Sequence, residues 1–219
     1  MSDESVSCLR QALLQWDSKH FVSFPWREER DCFHALVAEI LLQRTKAEQV
    51  VPVFVDFKAR FPLPGDLAAA TTQDVVELIR PLGLHWRADL LVKLGRTIVA
   101  NGNTVPDDLD RLLCLPGVGP YAASAYLSLH RRQRMAIVDA NIVRFYGRYF
   151  GFAVGPETRR SRSVRDLAER LTPPVGFRRF NYALIDFTRG VCMRYPNHAA
   201  CPVSSRCSHF HQEQGGTTW

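Results

Sequence analysis

The segment Leu115-Pro116-Gly117-Val118-Gly119-Pro120-Tyr121, followed by Val138-Asp139-Ala140-Asn141, constrains this chain more than any other stretch. Gly117 and Gly119 open backbone angles that a side chain would forbid, so they read as a tight turn. Pro120 suits the first position of a new helix, where its missing N–H has no partner to lose. Helices are expected on both sides, over 106–113 and 121–129. The pair makes a helix-hairpin-helix. Its exposed N–H groups, around Gly117, Val118 and Gly119, lie at a helix N-terminus that favours an anion such as phosphate. Asp139 and Asn141 then set a carboxylate and an amide just beyond the second helix. A phosphate grip beside a lone carboxylate points to chemistry on a nucleic acid.

The rest of the pattern is helical. Leu9, Leu13, Leu14 and Trp16 give an amphipathic N-terminal helix, and Phe24-Pro25-Trp26-Arg27 a loop entry. Phe33, Leu36, Val37, Ile40 and Leu41 define the next helix, with Glu39 and Gln43 four apart on one side. Val50, Val53, Phe54 and Phe57 give another, closed by Phe61-Pro62-Leu63-Pro64-Gly65. Thr71 with Asp74 reads as a capping box. Trp86, Leu90, Leu91, Leu94 and Ile98 mark the helix that follows. Ile142, Phe145, Tyr146 and Tyr149 form the face of one after Asp139. Ser163 with Asp166 reads as the cap of the next, with 159–165 as a solvated connection, and Phe180, Ala183, Leu184 and Phe187 mark the last long helix. No stretch alternates as a strand does, so the fold class is all-α.

The chain has 219 residues, 46% of them apolar, and a formal net charge of +6. That excludes global disorder and favours a polyanionic partner. Arginines crowd the C-terminal half: Arg131, Arg132, Arg134, Arg144, Arg148, Arg159, Arg160, Arg162, Arg165, Arg178 and Arg179. Their forked donors suit phosphate oxygens. No leader and no membrane-length apolar run is readable, so the chain reads as intracellular, cytoplasmic or nucleoid-associated if prokaryotic. Its six cysteines then do not form a disulfide framework. Cys8, Cys32 and Cys114 read as small buried hydrophobes.

LPGVG-x-Tyr and VDAN, in that order, resemble the helix-hairpin-helix base-excision DNA glycosylases, the superfamily of endonuclease III and the MutY adenine glycosylases. The resemblance covers about 24–207 and is greatest to the Mig-type thymine–DNA glycosylases. It implies a two-lobed fold, with a six-helix barrel over 28–135 and a second lobe from 1–27 and 136–219, and an active site in the cleft between lobes. It implies that Asp139 stabilises the oxocarbenium ion as the base leaves, with Asn141 hydrogen-bonding nearby. Both residues also suit a plain helix start. Tyr121 takes the place of the lysine that forms a Schiff base in endonuclease III. A phenol forms no imine, so a monofunctional enzyme is expected.

The same resemblance assigns the base pocket to Glu39, Trp26 and Arg27. It makes Gln43 or Arg44 the plug that reaches the orphaned partner base, with Leu84 or His85 wedging from the other side. Packing or exposed-loop readings stand beside each of these. The family places cysteines at C-x6-C-x2-C-x5-C around a [4Fe–4S] cluster. Cys192, Cys201 and Cys207 keep three places, and His198 stands where the second cysteine would be. A cluster with three cysteines plus His198 or an open site, a zinc site on the same ligands, or a lost site are the three outcomes. The partner expected is mismatched or damaged duplex DNA, bound by a monomer. The function expected is removal of thymine or uracil opposite guanine. Removal of adenine, or lesion binding without catalysis, are the alternatives. Against adenine stands the further C-terminal domain of the MutY enzymes, for which this sequence leaves no residues after Trp219.

Overall fold

The structure is a computed structural model that describes residues 2–215; Met1 and 216–219, the ends of the expected second lobe, lie outside the described residues. Every regular element among the described residues is helical. The chain divides into two compact units, Met1–Val22 with Arg134–Trp219, and Ser23–Gln133. None of these helices is long and apolar enough to cross a membrane.

The first unit opens with α1 (Asp3–His20), capped by the Ser2 hydroxyl, which accepts from the Ser5 N–H. Asp3 and Glu4 in its first turn, and Lys19 and His20 in its last, complement the helix dipole. Val6, Leu9 and Leu13 face inward, joined by Asp17, whose carboxylate is buried and meets Arg179 Nε at 3.2 Å.

The second unit holds α2 (Cys32–Leu41), α3 (Ala47–Arg60), α4 (Pro64–Ala69), α5 (Thr72–Ile79), α6 (Arg87–Ala100), α7 (Leu109–Leu113) and α8 (Pro120–Ala125). α8 runs on into a π-helical turn at Tyr126–His130. α2 is buried along nearly its whole length, as an apolar helix at a core centre must be. Its Phe33 meets Phe57, and Phe57 meets Phe61 edge-on at 5.1 Å. α5 carries the expected capping box of Thr71 and Asp74. α4 and α6 approach most closely at Gly95, where a Cβ would lie 2.9 Å from the Ala68 nitrogen.

The first unit resumes with α9 (Ala140–Phe150), α10 (Arg162–Leu171), α11 (Phe177–Gly190) and α12 (Ser208–Glu213). α9 turns Ile142, Phe145, Tyr146 and Tyr149 inward, and Phe145 meets Phe187 of α11 edge-on at 5.0 Å.

Several expectations are corrected. The stretch 61–65 does not stay a loop: Pro64 starts α4, and the Asp66 carboxylate accepts from the Leu63 N–H. Ser161, not Ser163, caps α10 by accepting from Val164, so most of the supposed connection over 159–165 is helical. Trp86 is 53% exposed, because it precedes α6 and does not share its apolar face. Cys114 is exposed, and Cys8 and Cys32 are half-buried. Gly119 has an ordinary extended φ of −96°; only Gly117, at +79°, needs the left-handed conformation.

Gly95→Ala tests the α4–α6 contact. The added methyl is expected to lower stability by about 1–3 kcal/mol through overpacking, more than the roughly 1 kcal/mol gained in helix propensity. Chemical denaturation reads the difference.

Candidate active site

Asp139 caps α9: its Oδ1 accepts from the Ile142 N–H at 2.7 Å. Its Oδ2 accepts from the Asn141 amide at 3.1 Å, and the Asn141 oxygen accepts in turn from Arg144 Nη1 at 2.9 Å. The plain helix-start reading of both residues therefore holds as geometry. It does not exhaust the group, since a carboxylate has lone pairs beyond the two engaged here. Burial pushes the Asp139 carboxyl above its ordinary range, opposed by the Ile142 N–H, by Asn141 and by Arg144. The carboxylate is half-buried and aimed by hydrogen bonds from its own helix.

Arg144 reaches further, with Nη2 donating to the carbonyls of Thr188 at 3.2 Å and Cys192 at 2.8 Å. One turn on, Arg148 donates to the carbonyls of Met193 and Arg194. α9 thus links Asp139 to the entrance of the cysteine segment mainly through side chain-to-backbone bonds, with Arg148 Nη1 also 3.6 Å from Cys192 Sγ.

In the second unit the hairpin turn lies between α7 and α8. Asp108 caps α7 by accepting from Arg111, and Pro120 starts α8 with half-buried Tyr121 next to it. Val118 packs inward. The Gln43 amide donates to the Gly117 carbonyl at 3.0 Å and ties the turn to the end of α2.

Glu39 is 2% exposed in the last turn of α2, and its Oε1 meets His130 Nε2 at 2.9 Å. His130 ends the π-turn, and its role has no counterpart in the sequence reading. Trp26 and Arg27 are buried. Trp26 stacks on Phe24 at 4.9 Å and meets Phe54 edge-on at 5.8 Å, so the indole is part of the unit's core.

The residues expected to enter the duplex sit on two turns. Arg44 (φ +56°) follows α2, and Leu84 (φ +54°) follows Gly83 (φ +65°). Both are non-glycine residues in left-handed backbone, which costs free energy and persists only where the surroundings impose it. Arg44 and His85 are exposed, and Leu84 is half-buried.

What imposes both turns is Arg87, a residue the sequence reading passed over. It is fully buried. Its Nη1 donates to the carbonyls of Leu41 at 2.7 Å, Gln43 at 3.2 Å and Ile40 at 3.3 Å. Its Nη2 donates to Thr45 Oγ1 at 3.2 Å and to the Gly83 carbonyl at 3.3 Å. The cation sits on the carbonyls of the α2 C-terminus, where the dipole is negative. A signal did exist in the sequence: a cation in the first turn of a helix opposes that helix's own dipole, so Arg87 needed another reason to be there.

In the cysteine segment Cys192 and Cys207 are buried and Cys201 half-buried; burial pushes the Cys192 and Cys201 thiols up, with a smaller push from Cys207 nearby. His198 Nε2 faces Glu213 Oε2 at 2.6 Å, and His209 Nε2 lies 3.2 Å from Glu213 Oε1. Among the described residues, the potential ligand atoms within 4.8 Å of one another are those of His198, His209 and Glu213, with no thiol among them. Zinc held by several thiolates needs sulfurs about 3.8 Å apart, given Zn–S bonds near 2.3 Å, and that set is not assembled. Three thiols on one segment suit three corners of an iron–sulfur cluster, which spreads its ligands wider.

The whole chain carries the same likeness. Residues 37–174 match the model of the HhH-GPD superfamily of base excision DNA repair proteins. The chain is 36% identical over 214 residues to a thymine/uracil-DNA glycosylase of Pyrobaculum aerophilum, covering 94% of this chain and 92% of that one. An adenine DNA glycosylase of Mycobacterium tuberculosis is 34% identical over 199 residues, 87% of this chain and 64% of that one. The solved structure of a thermostable thymine-DNA glycosylase superposes with a TM-score of 0.89 at 31% identity, over 96% of this chain and 98% of that one. The chain belongs to the HhH-GPD superfamily of base excision DNA repair proteins.

Arg87→Lys keeps the charge and loses the fork. Carbonyls of two turns are left without their donor, and stability is expected to fall by roughly 2–4 kcal/mol. Urea denaturation of the full chain measures it.

Proposed function

We propose that this chain is a monofunctional DNA glycosylase that hydrolyses the N-glycosidic bond of thymine, or uracil, opposite guanine in duplex DNA. Tyr121 carries the reading. The position after the hairpin, where an imine-forming enzyme needs an amine, holds a phenol that cannot supply one. The thymine/uracil-DNA glycosylase of Pyrobaculum aerophilum and the thymine-DNA glycosylase structure, both alike over nearly the whole chain, support the choice of base.

The roles divide as follows. As the base departs with the bonding electrons, positive charge builds on the sugar, and the Asp139 carboxylate stabilises it and orients the attacking water. Asn141 holds that carboxylate through its Oδ2. Glu39 meets the edge of the extruded base, and Trp26 and Arg27 support its pocket from the core. Extrusion costs about a few kcal/mol of stacking and pairing, least at a mismatch. Arg44 fills the gap and reaches the orphaned guanine, whose O6 and N7 accept a guanidinium fork. Leu84 and His85 enter from the other turn. The hairpin N–H groups at Gly117, Val118 and Gly119 hold a phosphate. The protein acts as a monomer inside the cell.

Cys192, Cys201 and Cys207 would hold three corners of a [4Fe–4S] cluster, with the fourth corner open or taken by His198, whose Nε2 alone is engaged by Glu213. Such a group would order the segment and help position DNA; it supplies no step of the hydrolysis.

A panel of labelled duplexes, T:G, U:G, A:G and A:8-oxoguanine, treated with alkali after incubation, tests the reading. Strand breaks are expected for T:G and U:G. Breaks confined to the adenine duplexes would transfer the activity to adenine, and breaks in none would leave a binding module. Asp139→Asn should retain duplex affinity while base release falls by roughly two orders of magnitude or more. Tyr121→Lys should nick the strand without alkali.

The pH profile tests Asp139 separately. The ionised carboxylate is the working form, so single-turnover rates should rise with pH through a midpoint above that of an ordinary aspartate, about 3.9. Asn141→Ala removes a donor to the ionised form, so that midpoint should move further up. A midpoint moving down, or staying put, would separate Asn141 from the acid.

A further inference from the structure

Glu39 and His130 form a buried pair whose protonation the surrounding structure decides. Their side chains are 3% and 2% exposed, and the 2.9 Å contact joins Glu39 Oε1 to His130 Nε2. The neighbours of Glu39 along α2, among them Leu36, Ala38 and Ile40, are apolar and buried. His130 reaches Glu39 because the helix widens: the Arg131 N–H donates to the Tyr126 carbonyl, five residues back. In a regular helix the same residue would stand about 100° further round the axis.

The other ring nitrogen, Nδ1, is buried and has no hydrogen-bond partner. That fixes the proton. If Glu39 were protonated and donated to Nε2, the ring hydrogen would sit on Nδ1 as an orphaned donor. An imidazolium would orphan the same N–H. Orphaned buried donors are rarer than orphaned acceptors. The consistent state is a neutral imidazole with its hydrogen on Nε2, donating to an ionised Glu39. The ionisable groups around the pair are Tyr126, whose ring lies 6.3 Å from that of His130, Cys32 at the start of α2, Arg131 with its guanidinium 3.0 Å from the Cys32 sulfur, and Asp107, 3.8 Å from Arg131. Burial keeps the Tyr126 phenol neutral, and it does not compete for the proton.

We propose that His130 is a positioning and specificity residue: it holds Glu39 as an acceptor and so suits the pocket to bases that present an N–H to it, as N3 of thymine and uracil does. One carboxylate oxygen is occupied by the imidazole, and the other is left to accept from the base. In this state Glu39 carries no proton of its own to give to a leaving purine. This deepens the proposed function and rests on Glu39 meeting the base.

Two measurements test it on the full chain. In the first, 15N NMR of histidine-labelled protein reads the His130 ring directly, without reference to DNA. An unprotonated Nδ1 and protonated Nε2 at neutral pH are expected; hydrogen on Nδ1 overturns the proposal. The second is single-turnover excision on T:G and U:G duplexes. His130→Ala should slow excision by about 10-fold, the worth of one charge-assisted hydrogen bond. His130→Gln, whose amide donates from nearly the same place, should stay within about 3-fold of the parent. Equal loss in both variants, or loss in neither, overturns the positioning role. Glu39→Gln run alongside separates the two levels: if it excises thymine at the parental rate, the role of Glu39 itself fails, whatever His130 does.

Discussion

A single buried guanidinium sets the shape of two turns. Arg87 has no carboxylate partner among its bonds; it is solvated by the carbonyls that end α2, by Thr45 and by Gly83. A buried cation is costly unless its donors are matched; both terminal nitrogens are, while Nε has no partner, so the carbonyls on Nη1 and Nη2 must stay where they are. That demand makes left-handed backbone at Arg44 and Leu84 tolerable, in two turns that share one anchor and no sequence neighbourhood. The end of α2 is then joined to the hairpin by Gln43, and its last turn to the π-turn by Glu39. Much of what distinguishes this unit from a plain helical barrel hangs on bonds made around one helix.

The all-α class, the hairpin and the capping box at Thr71 were legible in the sequence because each rests on local physics. Proline at a first helical position, apolar residues at helical spacing and a Thr–Asp pair three apart all act within one turn. What was not legible depends on partners distant in sequence. Arg87 reads as one more surface arginine until its acceptors some forty residues earlier are known. His130 reads as a loop histidine, since no side chain announces the extra residue in the Tyr126–His130 turn. Trp86 is misplaced by periodicity because it stands one residue before its helix, where the apolar face no longer applies. Gly119 is misjudged for the opposite reason: glycine permits a left-handed angle and does not require one.

The arginines are a similar lesson. Their number in the C-terminal half predicts phosphate contact, yet several are spent on the protein's own backbone. Arg134 donates to the Glu169 and Thr172 carbonyls, Arg144 to those of Thr188 and Cys192, and Arg148 to those of Met193 and Arg194. A guanidinium that ends helices is not available to DNA. The positive charge of the chain therefore overstates the cations that a polyanion can reach.

The cysteine segment is stitched to α9 largely through its main-chain carbonyls, with Cys192 Sγ taking a further contact from Arg148 and Cys207 Sγ making one to the Arg148 carbonyl. Arg144 and Arg148 grip residues 188 and 192–194 through oxygen atoms that every amino acid carries. The far end of the same helix bears Asp139. Side chains at those loop positions can therefore change without altering how the acid is held, so long as the path of the peptide is kept. The alignment of the carboxylate is inherited from a shape, and substitutions that spare the shape leave no trace on it.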